Sequence, residues 1–316
     1  MVLTPALPGE RFEVSGQAGR LNVYDSGTGP PLLLIHSINA AASAAEIRPL
    51  QARYRSQRRV FCLELPGFGM SERSDRHYSP RLMTDAVLAA VAAIQERAGC
   101  GSVDALALSL SCEFLARAAV ENPLSFRSLA LVSPTGLRRR GSWRKPPGTT
   151  RGSSTRYRLL RGPEWPGEPG QGRGWGRTLY GWLTRPAVIR YFLRRTWGSR
   201  HIDEGLWQYD VLTAAAAGAE FAPLYFLSGE LFSADIHAVY ERLTQPVWVS
   251  HGVRGDFTDY GQVSIVASRP QCDVTVYPSG ALPHFECPDR FCDDYDAFLG
   301  RLSPAPVRAE CARRTP

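Results

Sequence analysis

A serine between a strand and a helix can do chemistry that a serine elsewhere cannot. Its hydroxyl is a poor nucleophile until a base takes its proton. A sharp strand-to-helix turn strains the middle residue and lifts its side chain above the sheet. The positive end of the helix then lies behind any oxyanion that develops. In this chain the segment Ser109-Leu110-Ser111-Cys112-Glu113 follows an apolar run, Val103 to Leu108, and leads into a helical pattern, Cys112 to Glu121. Ser111 is therefore the expected nucleophile. The small residues usually found on either side are replaced by Ser109 and Glu113. Ser109 is small, and the charge of Glu113 suits the first turn of a helix. The competing reading of Ser111 is an ordinary helix N-cap.

The elements that would position it form a repeating pattern. Continuous apolar runs bounded by Gly and Pro suit strands buried on both faces. Pro31 to Ile35, Arg59 to Leu63, Val103 to Leu108 and Ser128 to Val132 are such runs, after an opening alternating stretch, Arg20 to Tyr24. Helical patterns lie between them at Ala41 to Tyr54, Pro80 to Arg97 and Cys112 to Glu121. Such alternation predicts right-handed crossovers and a mostly parallel central sheet flanked by helices, an α/β class fold. The alternation stops at Leu137. A stretch rich in Gly, Pro, Ser and Arg follows, in which Pro163, Pro166 and Pro169 forbid a long helix. Helical patterns resume from Thr178, and strand character returns at Pro246 to Ser250 and Val274 to Tyr277 before a last helix, Asp289 to Leu302. The expected organisation is a core in two parts, 1–136 and 245–302, a helical lid inserted at 137–244, and a polar tail at 303–316. Six of the seven Trp fall in the insertion. They either present aromatic surface to a ligand at the sheet edge or pack the insertion's own small core.

Composition narrows the function classes. The 316 residues are 44% hydrophobic with a formal charge of +7, enough for one substantial core. Lys145 is the only lysine, and the basic excess gathers between Arg138 and Arg161. It reads as a solvated lid edge, or as a guide for acidic substrates or an anionic surface. No nucleic-acid module signature is present, so no nucleic-acid partner is expected. Seven cysteines with no CxxC pair argue against a zinc site and a disulfide framework. No signal-peptide pattern opens the chain, and no apolar run reaches the ~20 residues of a membrane span. A cytoplasmic protein without cofactor or metal, acting on a small molecule, is the expectation.

From Phe12 to Leu302 the chain resembles the α/β-hydrolase superfamily. His36-Ser37-Ile38-Asn39 resembles that family's oxyanion loop, and Leu65 to Ser71 the loop after its next strand. The serine turn, Ser133-Pro134, a lid, the acid segment His251 to Asp256 and the histidine segment Ala281 to Pro288 follow in the family's order. The resemblance implies His284 as general base, Asp256 as the acid that orients it, and backbone N–H groups of Ile38 and Cys112 as oxyanion donors, with the Asn39 side chain as a third. Aligning Glu286 and Pro288 puts Ala281 at the usual base position and His284 three residues later, nearly one helical turn. The acid segment runs one residue long, because Gly255 precedes Asp256. Asp259 is the alternative acid, and His251 a further candidate base or ligand. His36 reads as structural, and His77, His201 and His237 carry no signal. The implied activity is hydrolysis of an ester or related acyl bond of a partly apolar small molecule through an acyl-enzyme. C–C bond hydrolysis or cofactor-free haloperoxidase-like chemistry on the same residues, and a catalytically degenerate binding protein, stand as alternatives.

Overall fold

The computed structural model describes residues 3–138 and 175–302. Eight strands form one sheet: β1 (Glu10–Gly16), β2 (Gly19–Ser26), β3 (Pro31–Ile35), β4 (Arg59–Leu63), β5 (Val103–Leu108), β6 (Phe126–Val132), β7 (Val247–Gly252) and β8 (Cys272–Tyr277). Their order is β1-β2-β4-β3-β5-β6-β7-β8. Only β2 runs antiparallel to its neighbours, so the sheet is mostly parallel, as the alternation implied.

The apolar runs become strands because both of their faces are covered. Leu33, Ile35, Ala105 and Ala107 join one core, here the upper core, with α2 (Pro80–Ala98) and α3 (Ser111–Glu121). Leu32, Leu34, Leu106 and Leu108 join the other, the lower core, with α1 (Arg48–Tyr54) and the last described helix, Pro288–Gly300. The α2 boundaries are written locally. Ser79 accepts from the Leu82 N–H, Pro80 opens the first turn, and Gly99 closes the helix in the left-handed region at φ 64°.

Between β6 and β7 the described chain is helical: α4 (Trp175–Leu183), α5 (Pro186–Trp197), α6 (Glu204–Ala214), α7 (Phe221–Ser228) and α8 (Ile236–Glu241). After β7 come α9 (Ser264–Ala267), β8, α10 (Pro283–Glu286) and α11 (Pro288–Gly300). Helix α7 was not expected. It is apolar all round rather than striped and carries Pro223 inside it, so no helical period shows. The α4–α8 segment docks on the loops at the C-terminal edge of the sheet. The Tyr180 hydroxyl meets the carbonyls of Ala40 and Ala214, and Arg73 donates to the Thr213 carbonyl and hydroxyl. Of the aromatic residues noted above, Trp197 is buried against Phe285, Trp207 stacks under Arg190, and Trp182 is half exposed. Trp143, Trp165 and the basic stretch after Arg138 lie outside the described residues, as does the tail from Ser303.

At the opposite edge, buried Asp104 of β5 takes Arg58, Arg127 and the Ser128 hydroxyl, and so joins β5 and β6 to the turn before β4. Removing one partner of a buried ion pair leaves the other charge uncompensated. Asp104→Ala should lower stability by about 3 kcal/mol, read from the urea midpoint. A shift no larger than that of a control at the partly exposed, surface-paired Asp85 (Asp85→Ala) would show that the buried pair is inert.

Candidate active site

The strand-to-helix turn is built two residues earlier than the sequence reading placed it. Strand β5 ends at Leu108. Ser109 follows with φ 52°, Leu110 is already right-handed, and Ser111 is the first residue of α3. Among the described residues only Ser109 and Ser133 are non-glycine residues with positive φ. Ser109 is locked in place, because its N–H donates to the Val132 carbonyl (2.8 Å) and its carbonyl accepts from the Cys112 N–H (3.1 Å). Its side chain is partly exposed. Ser111 is fully buried and donates its hydroxyl to the His36 carbonyl at 2.5 Å. The strained, lifted position expected of Ser111 therefore belongs to Ser109. The signal was present: Ala107-Leu108-Ser109-Leu110-Ser111 sets a serine between two small residues, and Ser111 is the outer one of that pair.

The loop after β3 lies beside this turn. Strands β3 and β5 are paired as far as Ile35 opposite Ala107, so the loop carrying Ile38 and the turn carrying Leu110 leave neighbouring strands at the same level, and the Ser111 hydroxyl joins them through the His36 carbonyl. Neither backbone N–H is bonded to another group among the described residues. The Cys112 N–H, by contrast, is engaged by the Ser109 carbonyl. The Asn39 side chain is also engaged: its amide donates to Glu46 Oε1 (2.6 Å) and Ser37 Oγ (3.2 Å), and its oxygen accepts from Ala41. Glu46 is the anchor of the loop. Besides Asn39 it accepts from the Ser37 N–H (2.7 Å) and Ser37 hydroxyl (2.9 Å). Burial raises its pKa, and these three donors hold it back.

The histidines sort by what their nitrogens meet. A carbonyl can only accept, so the ring nitrogen facing one must carry the proton. His36 donates from Nδ1 to the Ser37 carbonyl and accepts the Leu65 N–H at Nε2. Burial drives its pKa to about 4, and it is structural as expected. His284 is also fully buried, with its pKa driven to about 4 by burial. Its Nε2 donates to the Glu46 carbonyl (2.8 Å), and its ring packs on Phe285 and Phe291 of the lower core. This corrects its expected pairing with the serine, because α10 is a single short turn that aims the ring inward. Ala281 occupies the place nearer the edge, its carbonyl accepting the Ser133 hydroxyl (2.7 Å). Asp256 is corrected as well: both its oxygens are held by Arg195 at 2.6 and 2.8 Å on the surface. Asp259 is partly exposed, 3.9 Å from Arg138. His251, at the end of β7, stacks on Tyr260 with ring centroids 3.9 Å apart and donates from Nδ1 to the Gly252 carbonyl. His77 lies 3.8 Å from Glu230, His237 meets the Gly136 carbonyl, and His201 is exposed. Among the described residues no group of three His, Cys, Asp or Glu could hold a metal ion.

The family model described as Alpha/beta hydrolase family matches residues 32–294. A curated relative, the 2-hydroxymuconate semialdehyde hydrolase of Pseudomonas sp. (strain CF600), is 29% identical over 127 residues, covering 40% of this chain and 44% of that enzyme. The match therefore spans less than half the length of that relative. Among solved structures, the 2-hydroxy-6-oxo-6-phenylhexa-2,4-dienoate hydrolase from Rhodococcus sp. strain RHA1 superposes with TM-score 0.68 at 15% identity, covering 93% of this chain and 100% of that one. A thermophilic esterase from Thermogutta terrifontis gives TM-score 0.67 at 16% identity, covering 92% and 98%. At such identities these likenesses are of fold.

Two outcomes follow for variants beside the turn. Ser111→Ala leaves the buried His36 carbonyl without its donor and should lower stability by about 1–2 kcal/mol, measured by urea unfolding; an unchanged midpoint would deny the bond any weight. Asp210 of α6 is buried with Oδ1 unpartnered among the described residues. Burial, and then Glu46 and Asp203, raise its pKa well above 3.8. The folded state thus holds this proton more tightly than the unfolded chain, so wild-type stability falls as pH rises above 3.8. Asp210→Asn should unfold at higher urea than wild type at pH 7, with the advantage vanishing below pH 3.8. A less stable Asn variant at pH 7 would overturn this.

Proposed function

This chain belongs to the alpha/beta hydrolase family, and on that premise we propose that it is a serine hydrolase whose nucleophile is Ser109, attacking the acyl carbonyl of a partly apolar small molecule such as an ester. One observation carries the reading. Ser109 follows β5 in a left-handed conformation with a partly exposed side chain, beside two backbone N–H groups that no other residue uses among the described residues. Its hydroxyl adds to the carbonyl carbon, the negative oxygen meets the N–H groups of Ile38 and Leu110, and the leaving group departs to give an acyl-enzyme that water hydrolyses. Each such donor is worth about 3 kcal/mol in the transition state. Among the described residues no helix is long and apolar enough to cross a membrane, and a small-molecule substrate in a cytoplasmic setting is part of this reading.

A second reading has its own support. Ala281 stands where the family carries its base, and Asp256 is tied to Arg195. A protein that binds a carbonyl ligand at this turn without turnover fits both facts. C–C bond cleavage has less support, because Asn39, which would serve it, is held by Ser37 and Glu46.

A fluorophosphonate probe separates these readings. Wild type and Ser111→Ala should label on Ser109, and Ser109→Ala should not label. A p-nitrophenyl ester should show a burst followed by steady turnover. A burst without turnover favours the binding reading, and labelling that survives Ser109→Ala removes Ser109 from the site.

A further inference from the structure

A serine nucleophile needs a proton acceptor, and the usual position holds Ala281. We propose that His251 is the general base for Ser109, which deepens the proposed function and rests on it. The register puts the two residues on one level. Leu108 pairs with Val132, and Val132 with Ser250, so the next residues, Ser109, Ser133 and His251, form a row across β5, β6 and β7. The ladder continues through that row, with the Ser109 N–H on the Val132 carbonyl and the Ser133 N–H on the Ser250 carbonyl. Adjacent strands lie about 4.8 Å apart, so the Ser109 and His251 backbones are separated by about 10 Å, a distance that a hydroxymethyl and an imidazole span only when turned toward each other. In β7 the alternation puts His251 on the face of Val247 and Val249, which enter the upper core, whereas Ser109 and Ser133 leave their strands in the left-handed region at φ 52° and 49°.

The ring itself is set up as an acceptor. Its Nδ1–H donates to the Gly252 carbonyl at 3.0 Å, which leaves the lone pair on Nε2. Among the described residues nothing else bonds that nitrogen. This is the tautomer that a triad carboxylate enforces, here enforced by a backbone carbonyl. Tyr260 lies flat against the ring and orients it. The Ser133 hydroxyl reaches the Ala281 carbonyl, which places the usual base position next to the row. Burial lowers the imidazole pKa, and the bond to the Gly252 carbonyl opposes that shift. His36 uses both of its nitrogens, and the unpartnered Nδ1 of His284 is sealed in the lower core.

The step balances. The Ser109 hydroxyl proton passes to Nε2 as the Oγ–C bond forms. The imidazolium returns that proton to the leaving alkoxide as the C–O bond breaks, and water repeats the cycle in reverse to release the acid. The Gly252 carbonyl carries no full charge, so the imidazolium is stabilised less than in a triad.

The experiment follows the rate of fluorophosphonate labelling on the whole chain. His251→Ala and His251→Gln should each label Ser109 about 100-fold more slowly than wild type, with the urea midpoint of the Gln variant close to wild type. Added imidazole should restore labelling of the Ala variant and leave wild type unchanged. Wild-type rates in either variant, or a loss that imidazole does not repair, would overturn the assignment and leave Ser109 standing. Absence of labelling in the wild type itself would remove Ser109, and His251 with it.

Discussion

A backbone turned left-handed at a serine is a strained arrangement that must be held from both sides. At Ser109 the holding is done by a β6 carbonyl on one side and the first turn of α3 on the other. Everything at this edge of the molecule is arranged around that turn. A serine there costs on the order of 1–3 kcal/mol against an ordinary conformation, and such strain persists only where surrounding structure over-determines it. The same condition recurs one strand away at Ser133, so two adjacent strand ends leave the sheet by the same unusual route. Both serines follow strands that are paired on each side and almost wholly buried.

The second constraint is the carboxylate of Glu46, which lies almost out of reach of water. Burying an acid is unfavourable unless donors surround it. Here the donors are the backbone and side chain of Ser37 and the amide of Asn39, which are themselves the loop after β3. The loop is thus shaped by satisfying a buried charge, and the N–H of Ile38 is left over. The main chain of Glu46 accepts from His284, which binds the loop to the chain after β8. His284 contributes to the site indirectly, as a brace.

The fold was legible because its strands are continuous apolar runs whose burial on both faces suppresses any alternative. The parallel order followed from helices spaced between them. Helix α7 escaped notice because its apolar residues cover all sides and leave no period. The site was harder to read. Two serines two residues apart both precede a helical pattern, and sequence alone places a helix start to within a residue or two. That uncertainty is the difference between a hydroxyl raised at the edge and one donated to the His36 carbonyl. The three-residue offset to His284 suggested one helical turn, but the segment is too short to carry the ring around and the lower core claims it. Asp256 sits in a segment whose surface neighbour, Arg195, comes from a different part of the chain, and no local pattern announces such a partner.

Tyr180 joins the helices of the insertion to the loop after β3 through its hydroxyl, which lies 3.1 Å from the Ala40 carbonyl and 3.2 Å from the Ala214 carbonyl. A phenol has one proton to donate. At any instant one of these carbonyls is served and the other is not, and the proton can change sides by a rotation of the O–H bond alone. The seam between insertion and core is therefore fastened by a shared donor instead of a dedicated one. An incoming molecule that offers a hydroxyl or amide to the carbonyl left waiting would meet a joint already half undone.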